Sequence, residues 1–126
     1  MSMNRDRFER LVAKAVEDLP DKFAAQLDNV AIVVQDYPTA VQVRKAGLGR
    51  DETLLGLYEG VPQTKRGTHY GMVTPDKITI FRRPIEALGK DNNCMINEIE
   101  KVIKHEIAHH FGITDTRLRQ LEEVDD

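Results

Sequence analysis

The sequence predicts an α+β fold in which a short mixed sheet packs on helices. Three observations point to it. Short runs at 30–34, 54–58 and 77–82 are rich in β-branched or alternating apolar residues and read as strands. Longer stretches, from Arg5 to Pro20 and from near Asp91 until Gly112, carry apolar residues at helical spacing. The order is helices, strand, helix, two strands, a long helix and a short terminal helix, which is that of an α+β domain. At 126 residues the chain fits a single domain spanning 1–126, with one core.

The first helix is expected from Arg5 to Pro20. Phe8, Leu11, Val12, Ala15, Val16 and Leu19 recur at helical spacing with charges between them. A signal peptide needs an unbroken apolar run, so this stretch reads as a core element rather than a targeting segment. No run approaches a membrane span. Cys94 is the one cysteine, which excludes an internal disulfide and fits a reducing compartment. A cytoplasmic location is therefore expected. The net charge of −3 and pI near 5.8 give no global attraction to nucleic acid or an anionic membrane.

Pro20 and Asp21 can open a second, short helix with Phe23, Ala24 and Leu27 inward. Val30 to Val34 is a β-branched run expected to form a buried strand. Pro38 can begin a helix that Gly47 ends, although Val41 and Val43 favour strand. Leu54, Leu55, Gly56, Leu57 and Tyr58 form a second strand running toward Pro62. The proline and nearby charge suit a sheet edge. The loop from Pro62 to Asp76 carries Lys65, Arg66, His69 and Tyr70. A loop that long in a compact chain is usually functional or mobile. Lys77 to Arg82 alternates as a third strand.

The last long helix begins near Asp91, Asn92 and Asn93, all good N-cap residues. Its apolar stripe is Met95, Ile96, Ile99, Val102, Ile103 and Ile107, and its wet face is Asn97, Glu100, Lys101 and Lys104. His105, Glu106 and His109 spell H-E-x-x-H near its end. Positions i and i+4 lie about 40° and about 6 Å apart on a helix, so both imidazoles can reach one Zn²⁺. Glu106 follows the first histidine and is placed to touch a water there. This is the layout of a zinc hydrolase. His110 falls near the middle of the apolar stripe and reads as a hydrogen-bonded core histidine.

Gly112 is suited to stop the helix, and the chain can then bring Asp115 back toward the metal. Asp115 has two readings. It can be a third ligand, or it can cap a short helix from Thr116 to Glu122. With two imidazoles and a carboxylate, zinc keeps a fourth position for water, whose proton Glu106 takes as general base. The developing oxyanion needs another donor, for which Arg66, His69, Tyr70 and Tyr58 are candidates.

Three stretches resemble one family: LLGLYEGVP at 54–62, ITIFRRPIE at 78–86 and HEIAHHFGITD at 105–115. They are similar to the minimal zincin-like metallopeptidases of bacteria. The resemblance implies a zincin-like fold and one Zn²⁺ held by His105, His109 and Asp115. It also implies an edge strand, 54–60, that receives an extended peptide. The spacing H-E-x-x-H-x-x-G-x-x-D departs from the metzincin pattern, with aspartate for the third histidine. All four methionines lie upstream, so a methionine turn after the third ligand is missing. Glu122 and Glu123 are the alternative third ligands.

The expected function is thus zinc-dependent hydrolysis of peptide bonds. The alternatives are a non-catalytic zinc or protein-binding domain and a zinc-dependent endoribonuclease. The endoribonuclease pattern uses three histidines and lacks Glu106, and the acidic pI opposes it. A peptide deformylase takes a cysteine ligand from a distant strand, whereas Cys94 lies on the motif helix itself.

Overall fold

The computed structural model describes residues 5–47, 53–60 and 75–110. Helix α1 (Arg5–Glu17) leads into α2 (Asp21–Ala24), which one 3₁₀ turn, Ala25–Leu27, prolongs. Strand β1 (Val30–Gln35), helix α3 (Ala40–Ala46), strand β2 (Gly56–Glu59) and strand β3 (Asp76–Phe81) follow. Helices α4 (Arg82–Leu88) and α5 (Asn92–His110) complete the described elements.

The sheet is mixed, in the order β1-β3-β2. β3 is central, parallel to β1 and antiparallel to β2. Its residues Ile78, Thr79, Ile80 and Phe81 are all buried. Because strand side chains alternate between faces, the two apolar clusters divide between them. Ile78 and Ile80 join Val34, α1 and α5 in the main core. Phe81 packs with Leu54 and Leu57 under Val43 and Ala46 of α3 on the other face. Thus α1 and α5 cover one side of the sheet and α3 covers part of the other.

Helix α5 is held by packing more than by propensity, since isoleucine and valine are mediocre helix formers. Met95, Ile99, Ile103, Ile107 and Ala108 are buried along one stripe. Burying each isoleucine contributes roughly 1.5–3 kcal/mol, well above the few tenths lost in propensity. Asp91 starts the helix: its Oδ1 accepts from the Cys94 amide at 2.8 Å, and its carbonyl from the Met95 amide at 3.0 Å.

Helix α3 has a reciprocal cap that fixes its start. Thr39 Oγ1 accepts from the Gln42 amide, and Gln42 Oε1 accepts from the Thr39 amide. Gly47 ends it at φ 72°, a left-handed geometry that a glycine adopts without penalty.

Four expectations are corrected. The run at 30–34 is an edge strand rather than a buried one: Val34 is buried, whereas Val33 is 38% exposed. Ala24 faces solvent, since it lies about 100° round the helix from the buried Phe23. Arg82 opens a helix rather than closing β3. That helix, α4, was not expected. It forms because Pro84 stands in its first turn, where amide donors have no intrahelical partner. The Arg83 amide there donates to the Asp36 carbonyl at 3.0 Å. Of the expected loop from Pro62 to Asp76, residues 62–74 lie outside the described residues, as does the terminal helix from Thr116, while Asp76 itself begins β3.

Candidate active site

The last two turns of α5 carry the motif past the edge of the sheet. Ile103 and Ile107 point inward and fix the rotation of the helix. His105 and His109 consequently lie on its exposed flank, one turn apart. Their ring centres are 5.3 Å apart, with planes inclined at 60°. Imidazoles bound at about 2.0–2.1 Å to one tetrahedral zinc would have ring centres roughly 5 Å apart. The pair therefore fits a shared Zn²⁺ by spacing and by donor chemistry. Among the described residues, no group of three His, Cys, Asp or Glu side chains gathers as a metal site. Asp115, Glu122 and Glu123, the residues expected to supply a third donor, lie outside the described residues, as do Arg66, His69, Tyr70 and Gly112.

Glu106 lies between the histidine flank and the core and is partly buried. Its Oε1 accepts from the backbone N–H of Tyr58 at 2.8 Å. The geometry of β2 explains why that donor is available. The Phe81 amide donates to the Leu55 carbonyl at 3.0 Å, so 55 and 81 are a hydrogen-bonded pair. Antiparallel pairs alternate, so the peptide groups of Gly56 and Tyr58 point away from β3. The Tyr58 N–H thus projects from the sheet edge toward α5. Burial raises the Glu106 carboxyl above the ordinary carboxylate range, while the Tyr58 amide, His109 and His105 oppose that rise.

Gly56 lets the strand approach this closely. A Cβ there would clash with Val102 Cγ1 and meet the Thr79 carbonyl oxygen at 3.1 Å. Two clefts flank the contact between β2 and α5, and Glu106 borders both. One, of about 320 Å³, has an apolar floor of Ala46, Leu54 and Leu57 and reaches His109. The other, of about 270 Å³, runs past Gly56 and Val102 to His105.

His110 is not a core residue. It is exposed and stacks on Tyr58, with ring centres 3.8 Å apart and planes 15° from parallel. The apolar stripe does continue through its position, but the core ends at Ile107 and Ala108 and an edge-strand ring lies beyond. The Tyr58 hydroxyl donates to Asp76 Oδ2 at 2.8 Å. This hydroxyl was a candidate oxyanion donor; it is instead engaged by a carboxylate. Sequence reasoning missed Asp76 at this corner, because no local pattern ties the first residue of β3 to a ring on β2.

No helix among the described residues is long and apolar enough to cross a membrane. No curated protein matches the chain. Residues 27–124, from the 3₁₀ turn through the motif helix and beyond, match the family model for zincin-like metallopeptidases. With a mixed sheet packed on helices and a motif helix against its edge strand, the chain belongs to the zincin-like metallopeptidase family.

Proposed function

We propose that the protein is a zinc-dependent peptidase. The observation that carries this reading is the arrangement of His105 and His109 around a Glu106 carboxylate held at a sheet edge. His105 and His109 would hold Zn²⁺, with Asp115 as third ligand. A Zn²⁺ there supplies Lewis acidity toward a peptide carbonyl and acidifies water.

The remaining work falls to the chain itself. Glu106 takes a proton from the attacking water and passes it to the leaving amine. Its Oε1 is occupied by the Tyr58 amide, so Oε2 is the oxygen that exchanges the proton. The Gly56 peptide groups and the Tyr58 carbonyl, which point away from β3, suit an extended peptide laid along that edge, the Tyr58 amide being held by Glu106, and the flanking clefts suit its side chains. The substrate class is therefore peptide or unfolded protein, and the single domain 1–126 would act without nucleic acid or membrane, in the cytoplasm.

Metal content and cleavage test this together. Purified wild type should carry one zinc per chain, and His109→Ala should carry little. Wild type should cleave members of a library of unstructured peptides, a chelator should stop it, and added Zn²⁺ should restore it. Equal zinc in wild type and His109→Ala would refute the metal assignment. Zinc-loaded wild type that cleaves nothing would favour a non-catalytic binding domain.

A further inference from the structure

We propose that Tyr58 is the positioning residue for Glu106. Its side chain, fixed by Asp76 and His110, keeps its own backbone N–H on Glu106 Oε1 and so sets the direction of the carboxylate. The proposal rests on the peptidase reading for its catalytic meaning, but the geometry it describes can be measured without activity.

β2 is four residues long and pairs with β3 along one side. A short edge strand is prone to local opening, and an amide on it is a loose anchor unless something else holds it. Among the described residues, an amide hydrogen bond, a hydroxyl hydrogen bond and a ring stack converge on Tyr58. Its amide meets Glu106, its hydroxyl meets Asp76 at 2.8 Å, and its ring lies on His110. Glu106 and His110 are one turn apart on α5, so a single helix face grips both the backbone and the ring of the same strand residue. Asp76, the first residue of β3, ties the far end of that ring to the central strand. A bond from an amide to a carboxylate contributes more than one to a neutral acceptor, and it is directional. With Oε1 fixed, Oε2 has one orientation relative to His105 and His109. Loosening the ring would let the carboxylate turn without removing any metal ligand.

The test uses full-length protein. In metal-free wild type, the Tyr58 amide proton should resonate downfield and exchange slowly with solvent. Glu106→Gln should move it upfield. Asp76→Ala and His110→Ala should each move it toward the Glu106→Gln position. Asp76→Asn keeps an acceptor for the hydroxyl and His110→Phe keeps a flat ring, so both should restore the wild-type signal. In zinc-loaded protein the two alanine variants should lower kcat about tenfold to a hundredfold, with KM and zinc content near wild type. The two conservative variants should recover most of it. His110 is exposed at the helix end, so His110→Ala should fold even if Asp76→Ala does not. A Tyr58 amide that stays at its wild-type shift in His110→Ala overturns the proposal. If wild type binds no zinc and cleaves nothing, the peptidase reading fails by itself, and the amide shifts still decide the positioning role.

Discussion

The peptide N–H of Tyr58 and the carboxylate of Glu106, 48 residues apart in the chain, meet at 2.8 Å. This contact joins the edge of the sheet to the motif helix. A partly buried carboxylate without a partner would be costly, and a hydrogen bond to a charged group contributes roughly 1.5–3 kcal/mol. The residue best placed to act on water is therefore also a structural tie. Oε1 ties the strand to the helix, and under the peptidase reading proposed above Oε2 would be the oxygen that handles the proton.

The same tie depends on Gly56. Gly56→Ala would drive a methyl into Val102 Cγ1 and the backbone oxygen of Thr79, and neither is the far end of a flexible side chain. Overpacking of this kind costs about 1–3 kcal/mol. A lower thermal midpoint is expected, together with an upfield shift of the Tyr58 amide as β2 moves off α5. Val102→Ala should recover a large part of the loss in the double variant. A Gly56→Ala protein as stable as wild type would show that the strand and helix can separate freely.

How much of this was legible in the sequence follows from which interactions are local. The motif helix was readable because its stripe repeats every turn and Asp91 caps it, both signals within a few residues. The Thr39 and Gln42 cap of α3 is equally local, at the spacing a capping box requires, although the helix start was placed at Pro38. Periodicity also gave the direction of His110 correctly. It could not say that the core stops at Ala108, because that depends on where β2 passes. The β-branched run at 30–34 identified a strand but not its place at the sheet edge, which the pairing with β3 decides. Helix α4 was hidden because Arg82, its first residue, read as the end of the third strand. The Asp36 carbonyl that receives the Arg83 amide is far away in the chain. The bond between Tyr58 and Glu106 has no local signature at all.

A pH-dependent contribution to stability is expected at the far end of the sheet. Arg82 is buried, and its Nε donates to Asp36 Oδ1 at 2.9 Å. Hydrogen bonding from Arg82 is the main cause that holds the Asp36 carboxyl below its usual value. A carboxyl whose pKa is lower folded than unfolded stabilises the fold above its unfolded pKa and stops doing so as pH falls through the folded pKa. Wild type should therefore exceed Asp36→Asn in thermal midpoint at neutral pH. The gap should narrow once pH drops below about 4, the ordinary aspartate value. A gap that is constant from pH 7 down to pH 3 would mean that Asp36 contributes through its shape and not its charge.

Asp115 separates a metal ligand from a helix cap. Asparagine caps a helix about as well as aspartate but is a much poorer zinc ligand. Asp115→Asn should thus weaken zinc binding strongly while leaving the thermal midpoint of metal-free protein nearly unchanged. Competition with a chromogenic chelator reads the affinity, and a melt without metal reads the cap. Unchanged zinc affinity would transfer the ligand role to Glu122 or Glu123, to be tested by the same pair of measurements.

Glu106→Gln distinguishes an enzyme from a binding domain most directly. Glutamine is nearly isosteric and leaves His105 and His109 in place, so zinc content should match wild type. Its carbonyl oxygen can still accept from the Tyr58 amide, so the link between β2 and α5 should persist in weakened form. What it cannot do is accept a proton from water. General acid–base groups contribute about 10²–10⁴-fold, so peptide cleavage should fall by at least that lower factor. Because the preferred sequence is unknown, the assay should be a broad peptide library read by mass spectrometry. Zinc retained with cleavage lost assigns the proton transfer to Glu106. Zinc lost along with cleavage would instead make Glu106 a support for the metal site. Cleavage at the wild-type rate in Glu106→Gln would remove this carboxylate from the mechanism and point to a contaminating protease.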